Sequence, residues 1–227
     1  MPAAFTGFTP AALGFFEQLA ANNSKTWFDL HRQEFEDLLL TPLKALVADL
    51  SPSMLIIDPR LITVPAVDKT ISRIRRDTRF TRDKSPYRTR LWISFKRPGK
   101  DWQDTPVYFC EISATGYRYG MGFYSASRQT MNHLRQYIEA KPAVFRKDVA
   151  FLARQNSFVL EGERYKRPLN PSLAEDLQDW HQRKNLYLIC HRPAGGVIFS
   201  AELVAELREG FASLAPLYRL LWHLRGE

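Results

Sequence analysis

The chain has 227 residues, 45% of them hydrophobic, which fits one packed domain over residues 1–227 and excludes disorder for most of it. It carries 32 Lys and Arg against 24 Asp and Glu, a net charge of +8. No apolar run approaches the roughly 20 residues of a membrane span, the first residues lack the pattern of a secretory signal, and Cys110 and Cys190 form neither a disulfide framework nor a zinc motif. These absences predict a cytoplasmic protein without membrane contact.

The N-terminal part of the chain has a helical period. Thr9-Pro10 supplies a capping side chain and a proline at the first helical position, and Asn22-Asn23 ends this helix. Ser24 caps a second helix. Thr41-Pro42 either kinks that helix or begins a third one, which is predicted to end near Leu50 and to be followed by a loop.

The hydrophobic period changes to two in the middle of the chain. Leu91, Ile93 and Phe95 alternate with Trp92, Ser94 and Lys96. Beyond a turn, Val107, Phe109 and Glu111 alternate with Tyr108, Cys110 and Ile112, and Thr115-Gly116 is a turn that leads into Tyr117–Tyr124. This pattern predicts an antiparallel meander of at least three strands, with Thr70–Phe80 as a fourth.

Helical signals return after the meander. Ser127 caps one predicted helix, Lys141-Pro142 begins another, and Ser172–Glu175 is a capping box for a short third. Leu186–His191 is predicted as a late strand and Ser200–Leu224 as a C-terminal helix. The expected fold is therefore α+β: an antiparallel meander sheet of about four or five strands, flanked by N-terminal and C-terminal helices.

The positive charge is concentrated in one segment. Residues 69–100 hold 12 basic side chains against two acids, whereas the rest of the chain sums to −2. Such a distribution focuses an electric field on a partner. If Thr70–Phe80 is a strand, its period of two places three guanidinium groups around the carboxylate of Asp77, which would then be ionised and orient them. The predicted ligand-binding residues are Arg73, Arg76, Arg79, Lys84 and Arg88.

The same segment carries a family resemblance. The run from Arg73 to Thr89, which includes Asp77-Thr-Arg-Phe and Asp83-Lys-Ser-Pro-Tyr, resembles the signature of the domain of unknown function 2461 family, which is mainly bacterial. The resemblance implies a single-domain protein and no mechanism, and the chain departs from the family pattern by a short Pro168–Pro171 stretch. The resemblance to the family also includes Asn22-Asn23, Trp27-Phe28, Gly120-Met121-Gly122, Gly162, Lys166-Arg167-Pro168 and Lys184.

Other motifs are less specific. Gly120 and Gly122 lie on one strand face, where the missing side chains either form a shallow floor for a ligand or let a helix pack closely, and packing is favoured. The five histidines show no ligand spacing, so no metal and no cofactor are predicted. Cys190 and His191 are strand neighbours that point to opposite faces, which argues against a thiolate–imidazole pair.

Three functions fit these observations. The favoured one is binding of a phosphate-bearing ligand or nucleic acid through residues 73–90, because the charge covers more chain than one small ligand needs. The alternative is an enzyme acting on a small phosphorylated or carboxylated substrate, with Asp77, Asp83 or Tyr87 transferring a proton. The third is a module that binds an acidic protein partner.

Overall fold

The computed structural model describes residues 3–225 and confirms the α+β prediction. Its antiparallel sheet has the order β1-β2-β3-β5-β4, so the first three strands form the predicted meander and the last two extend it on the β3 side. The late strand was predicted, whereas β4 was not, because its three residues are too few to show a period. The strands are β1 (Arg90–Phe95), β2 (Pro106–Ser113), β3 (Gly116–Phe123), β4 (Val159–Glu161) and β5 (Tyr187–Pro193).

Local side-chain caps begin the N-terminal helices as predicted. The Thr9 side chain accepts a hydrogen bond from the backbone N–H of Ala12, and Ser24 does the same for Trp27. The helices are α1 (Pro10–Ala21), α2 (Lys25–Leu30), α3 (Arg32–Phe35) and α4 (Thr41–Ile57), with a π-helical turn over Glu36–Leu40 that leads into Pro42.

Helix α4 is longer than predicted. It continues through Pro52 to Ile57, so the predicted end near Leu50 and the loop after it are wrong. Leu46, Leu50 and Met54 are spaced by four residues and are fully buried, and their packing outweighs the backbone hydrogen bond that proline removes.

One helical stretch, Arg32–Ile57, is long and apolar enough by length and composition to cross a membrane. Core helices of soluble proteins pass the same test. In this chain the apolar side chains of Leu43, Leu46 and Leu50 are fully buried within the fold. Packing against protein therefore accounts for these side chains, which belong to the 33% of the apolar window that is buried.

Residues 70–94, called the arginine-rich hairpin from here on, are less regular than predicted. Residues 70–76 run antiparallel to 86–94 through backbone hydrogen bonds such as Ser94 N–H to the Thr70 carbonyl, but Thr70–Phe80 is not a strand. The reason is a bulge: Arg73 alone stands opposite residues 89–91, which interrupts the ladder. Only the isolated bridges at Ile71 and Arg75 remain on this side of the hairpin.

The C-terminal half supplies four more helices. Ser127 caps the first of them as predicted. The capping box at Ser172 is wrong, because Asn170 bonds the backbone of Ser172 and Leu173 in a turn and the helix begins only at Glu175. The helices are α5 (Arg128–Ala140), α6 (Pro142–Asp148), α7 (Glu175–His181) and α8 (Glu202–Leu224).

The chain divides into two compact units. The described part of Met1–Phe95, together with Phe109–Tyr119 and His191–Glu209, forms one unit, and the remaining segments form the other. Each has its own buried core, around Phe16 in the first unit and around Phe211 in the second. The single domain expected from length stays a prediction.

Candidate functional site

The arginine-rich hairpin is held at its base by one asparagine. The Asn23 side-chain amide donates to the Tyr87 carbonyl at 2.9 Å, and the Tyr87 backbone N–H donates to Asn23 Oδ1 at 3.0 Å. The Tyr87 ring stacks on Phe28 with centroids 4.2 Å apart. The Asn23 side chain thus forms the two hydrogen bonds with the Tyr87 backbone that a residue of a neighbouring strand would form. It joins two segments of the family signature that lie far apart in the chain.

The hairpin loop, residues 77–85, is held by its own carboxylates. The Asp77 carboxylate accepts from Arg79 Nε at 2.9 Å and from Arg79 Nη2 at 2.6 Å, and Asp83 pairs with Arg76 and accepts from the Ser85 backbone N–H at 2.9 Å. The Lys84 ammonium donates to the Thr78 carbonyl at 2.8 Å. This bonding gives the exposed loop a defined shape.

Both loop carboxylates are ionised at neutral pH. Hydrogen bonds from the Arg79 side chain and backbone lower the pKa of Asp77 to about 2. The Arg76 guanidinium, with bonds from Ser85, holds the pKa of Asp83 well below its usual range. The expected ionised Asp77 is therefore supported, and neither carboxyl group carries a proton to donate near pH 7.

The predicted arrangement around Asp77 is wrong in one respect. Only Arg79 pairs with Asp77, whereas Arg73 pairs with Asp68, and Arg75 lies on the irregular part of the hairpin. The cause is that the backbone ladder ends at Arg76, so Asp77 and Arg79 lie in the loop and no strand period places them on one face with Arg73 and Arg75. The structure thus spreads the guanidinium groups along the hairpin.

The remaining predicted residues lie on the same hairpin. Arg88 donates to the Arg75 carbonyl at 3.3 Å, and its guanidinium lies 5.0 Å from the centroid of the Trp92 ring. Tyr87 is buried, with 6% of its surface exposed, and packs on Phe28. All five predicted binding residues therefore lie on the arginine-rich hairpin. The proton-transfer candidate Tyr87 belongs to the buried core.

Acidic side chains only partly balance this charge. Residues 73–90 contain eight Lys and Arg against two Asp, a net charge of +6. Outside this range, Asp68 pairs with Arg73 and Glu111 lies 3.7 Å from Arg90. Within the part of the chain that the structure describes, Arg75, Arg82 and Lys84 have no carboxylate partner, so the hairpin keeps an excess of positive charge.

The glycines of β3 serve packing. A Cβ atom at Gly120 would lie 1.9 Å from the Leu188 carbonyl oxygen, and one at Gly122 would lie 2.3 Å from the Tyr187 Cβ. The β5 backbone therefore occupies the space that a ligand would need. The favoured packing interpretation is supported, but the element that packs closely is strand β5 and not the predicted helix.

Sequence reasoning missed a polar cluster around Glu206. Its carboxylate accepts from the phenols of Tyr117 at 2.6 Å and Tyr119 at 3.1 Å, and from Arg192 Nε at 2.8 Å. Tyr117 and Arg192 also line a cleft of about 280 Å³. The two tyrosines were visible as alternating residues of one strand, but their partner lies almost 90 positions away in the chain.

Burial and the bond to Glu206 raise the pKa of Tyr117 well above that of an exposed tyrosine. Because the folded state holds the proton more tightly than the unfolded state, this stabilisation is complete below about pH 10 and is lost as the pH rises further. We expect the free energy of unfolding of the wild type to fall more steeply above pH 10 than that of Tyr117→Phe, by up to about 1.4 kcal/mol per pH unit. Denaturant titrations across this range measure the difference.

Tyr124→Phe is the matched control, because Tyr124 is 66% exposed. Its alkaline stability curve should follow that of the wild type. Parallel curves for Tyr117→Phe and the wild type would contradict the role of Tyr117.

Comparison with known proteins bears on the whole chain. The family model of the conserved hypothetical protein DUF2461 matches residues 11–220, so the chain belongs to this family, and the resemblance seen in the sequence is confirmed. No curated protein matches the chain. The family description names no activity, so function has to be argued from the site itself.

Proposed function

We propose that this member of the DUF2461 family binds a phosphate-bearing ligand, nucleic acid in particular, through residues 73–90. The observation that carries the proposal is the uncompensated charge of the hairpin. Arg75, Arg82 and Lys84 are exposed and have no carboxylate partner among residues 3–225. Lys and Arg side chains so placed are the usual contacts of nucleic-acid phosphates.

The ion pairs of the loop support the same proposal. Asp77 engages Arg79 through Nε and Nη2, which leaves the Nη1 group of this guanidinium without an acceptor in the described chain. A guanidinium has five N–H donors and can therefore bind a carboxylate on one edge and a phosphate on another. The ionised Asp77 then orients Arg79 for an anion.

Binding is favoured over the enzymatic alternative. Asp77 and Asp83 have lowered pKa values and stay ionised at neutral pH, so they are poorly suited to donate a proton there. Tyr87 is buried against Phe28. The three side chains suggested for proton transfer thus have structural explanations: two orient arginines and one anchors the hairpin.

We also propose a cytoplasmic location. Cys110 and Cys190 are buried and form no disulfide among the described residues, which suits a reducing compartment. Nucleic acid and phosphorylated metabolites are both available in the cytoplasm. An acidic protein is the third class of partner that the positive charge of the hairpin could bind.

The test is binding of a labelled mixed-sequence oligonucleotide over a salt series. We expect the logarithm of the wild-type affinity to fall linearly with the logarithm of the salt concentration, because binding releases counterions from the phosphates. In Arg82→Gln/Lys84→Gln the magnitude of the slope should fall by about two, roughly one for each lost phosphate contact. Fluorescence anisotropy at each salt concentration gives both slopes.

Lys44→Gln/Lys147→Gln is the control pair, since it removes the same charge from exposed positions outside the hairpin. Its slope should match that of the wild type. Folded wild-type protein that fails to bind at low salt, or an equal loss of slope in the control, would contradict the proposal. Competition by inorganic pyrophosphate at constant ionic strength distinguishes the two ligand sources: strong competition assigns the site to a small phosphorylated ligand, and its absence to a polymer.

A further inference from the structure

One aromatic side chain stands out on the hairpin loop. Phe80 is 90% exposed, the highest value among the large hydrophobic residues that the structure describes as exposed. It lies between Arg79 and Arg82, whose side chains are also exposed. Exposure of a phenylalanine ring to water is unfavourable, and here the ring has an arginine guanidinium beside it.

The loop holds this ring outward. Asp77 bonds the side chain and backbone of Arg79, and the Thr81 hydroxyl donates to the Asp83 carbonyl at 2.8 Å. The residues on either side of Phe80, Arg79 and Thr81, are therefore both hydrogen-bonded within the loop. The Arg79 guanidinium carbon is 5.5 Å from the centroid of the Phe80 ring, a cation–π distance. The exposed ring therefore keeps a flat surface accessible beside a positive charge.

A planar ring beside cations that can contact phosphates suits an unpaired nucleic-acid base. Unpaired bases stack on aromatic side chains while their phosphates contact neighbouring Lys and Arg. We propose, resting on the function proposed above, that the arginine-rich hairpin binds single-stranded nucleic acid, with one base stacked on Phe80 and adjacent phosphates on Arg79, Arg82 and Lys84.

The geometry favours a single strand over a duplex. Bases in a duplex already stack on each other, so a ring can reach their faces only after unstacking them. The hairpin offers a second aromatic group of the same kind, because the Trp92 ring lies beside the Arg88 guanidinium at 5.0 Å. Rings next to cations in one hairpin are what single-stranded nucleic acid needs.

A membrane is a poorer partner for the same loop. Insertion of Phe80 into a bilayer would bring Asp77 and Asp83 to the surface of the lipid, and both are ionised at neutral pH. Hydrocarbon would desolvate these carboxylates and the arginines paired with them, a cost that stacking of one base on the ring does not carry. The loop also lacks a second large apolar side chain among residues 77–85.

The experiment compares Phe80→Ala, Phe80→Leu and Phe80→Tyr with the wild type on single-stranded and duplex oligonucleotides of equal length. We expect Phe80→Ala and Phe80→Leu to weaken single-strand binding by about tenfold and to leave duplex binding within about twofold. Phe80→Tyr should restore single-strand binding, because it keeps the ring. An exposed side chain contributes little to folding, and circular dichroism of each variant checks that the fold is intact.

The outcomes separate this inference from the function that it rests on. Absence of binding to either oligonucleotide overturns the proposed function. Wild-type binding to both, with Phe80→Ala affecting both equally or neither, overturns only the assignment to single strands. In a parallel arm with phosphatidylserine vesicles, loss of vesicle binding in Phe80→Ala without loss of oligonucleotide binding would assign the ring to a membrane and also overturn the inference.

Discussion

Replacing Arg183 with methionine is expected to lower the free energy of unfolding by about 3 kcal/mol. Arg183 is buried, with 6% of its surface exposed, and its guanidinium donates to the carbonyls of Gly162 at 2.7 Å, Leu160 at 3.0 Å and Asp179 at 3.1 Å. Burial lowers the pKa of Arg183, since removing the charge from water is costly. Methionine fills similar space but leaves these carbonyls without their donor, which is the expensive outcome for buried polar groups.

Arg164→Met is the matched control. Arg183 also pairs with the Asp179 carboxylate at 2.9 Å, and Arg164 pairs with that carboxylate too, but the Arg164 side chain is 50% exposed. Exposed ion pairs contribute little, so the free energy of unfolding should change by less than about 1 kcal/mol. Urea titrations of both variants measure the two values. Equal losses would show that the ion pair, and not the buried bonds to the carbonyls, stabilises this part of the chain.

The second large effect is expected at Gly120. The Cβ of Gly120→Ala would lie 1.9 Å from the Leu188 carbonyl oxygen and 2.9 Å from its carbon. These are backbone atoms of a paired strand and cannot rotate away, so either β3 or β5 has to move. We expect a loss of about 3 kcal/mol, at the upper end of the cost of overpacking. Denaturant unfolding measures it, or a low soluble yield where the variant does not fold.

Gly14 provides the opposite control. A Cβ there meets no atom within 4 Å, and Gly14 lies inside α1. Alanine is a better helix former than glycine, so Gly14→Ala should raise the free energy of unfolding by about 0.5–1 kcal/mol. A neutral result for Gly120→Ala would return the two glycines of β3 to consideration as the floor of a binding site.

Gly120 and Arg183 both belong to the second unit, whereas Arg82 and Lys84 belong to the first. A stability variant such as Arg183→Met should therefore bind oligonucleotide as the wild type does under conditions where it is folded. Binding that follows stability across all variants would point instead to a general effect of unfolding.

The sequence by itself determined the features that depend on near neighbours. Thr9, Ser24 and Ser127 cap helices as predicted, because the hydroxyl and the N–H that it accepts from are three residues apart. The period of two over β1 and β2, followed by the turn at Thr115-Gly116, predicted the meander. The concentration of charge in residues 69–100 needed only counting.

Only the tertiary structure decided which side chains meet. Asn23 pairs with Tyr87 across 64 positions, and Glu206 binds two tyrosines almost 90 positions away. No periodicity links such residues, because their separation depends on how the elements pack. The same applies to Asp77, because its predicted ring of guanidinium groups assumed a strand, whereas the backbone ladder ends at Arg76 and leaves Asp77 in the loop.

The distance along the chain between two bonded residues therefore separates the features that the sequence determined from those that only the fold decided. Hydrogen bonds between residues within about four positions follow from local geometry and can be predicted from the sequence. Arg183 looked like any surface arginine in the sequence, and only the packing of the carbonyls around it made it a buried donor. The charge of the hairpin belongs to the sequence, whereas the arrangement of that charge and the exposure of Phe80 belong to the folded protein.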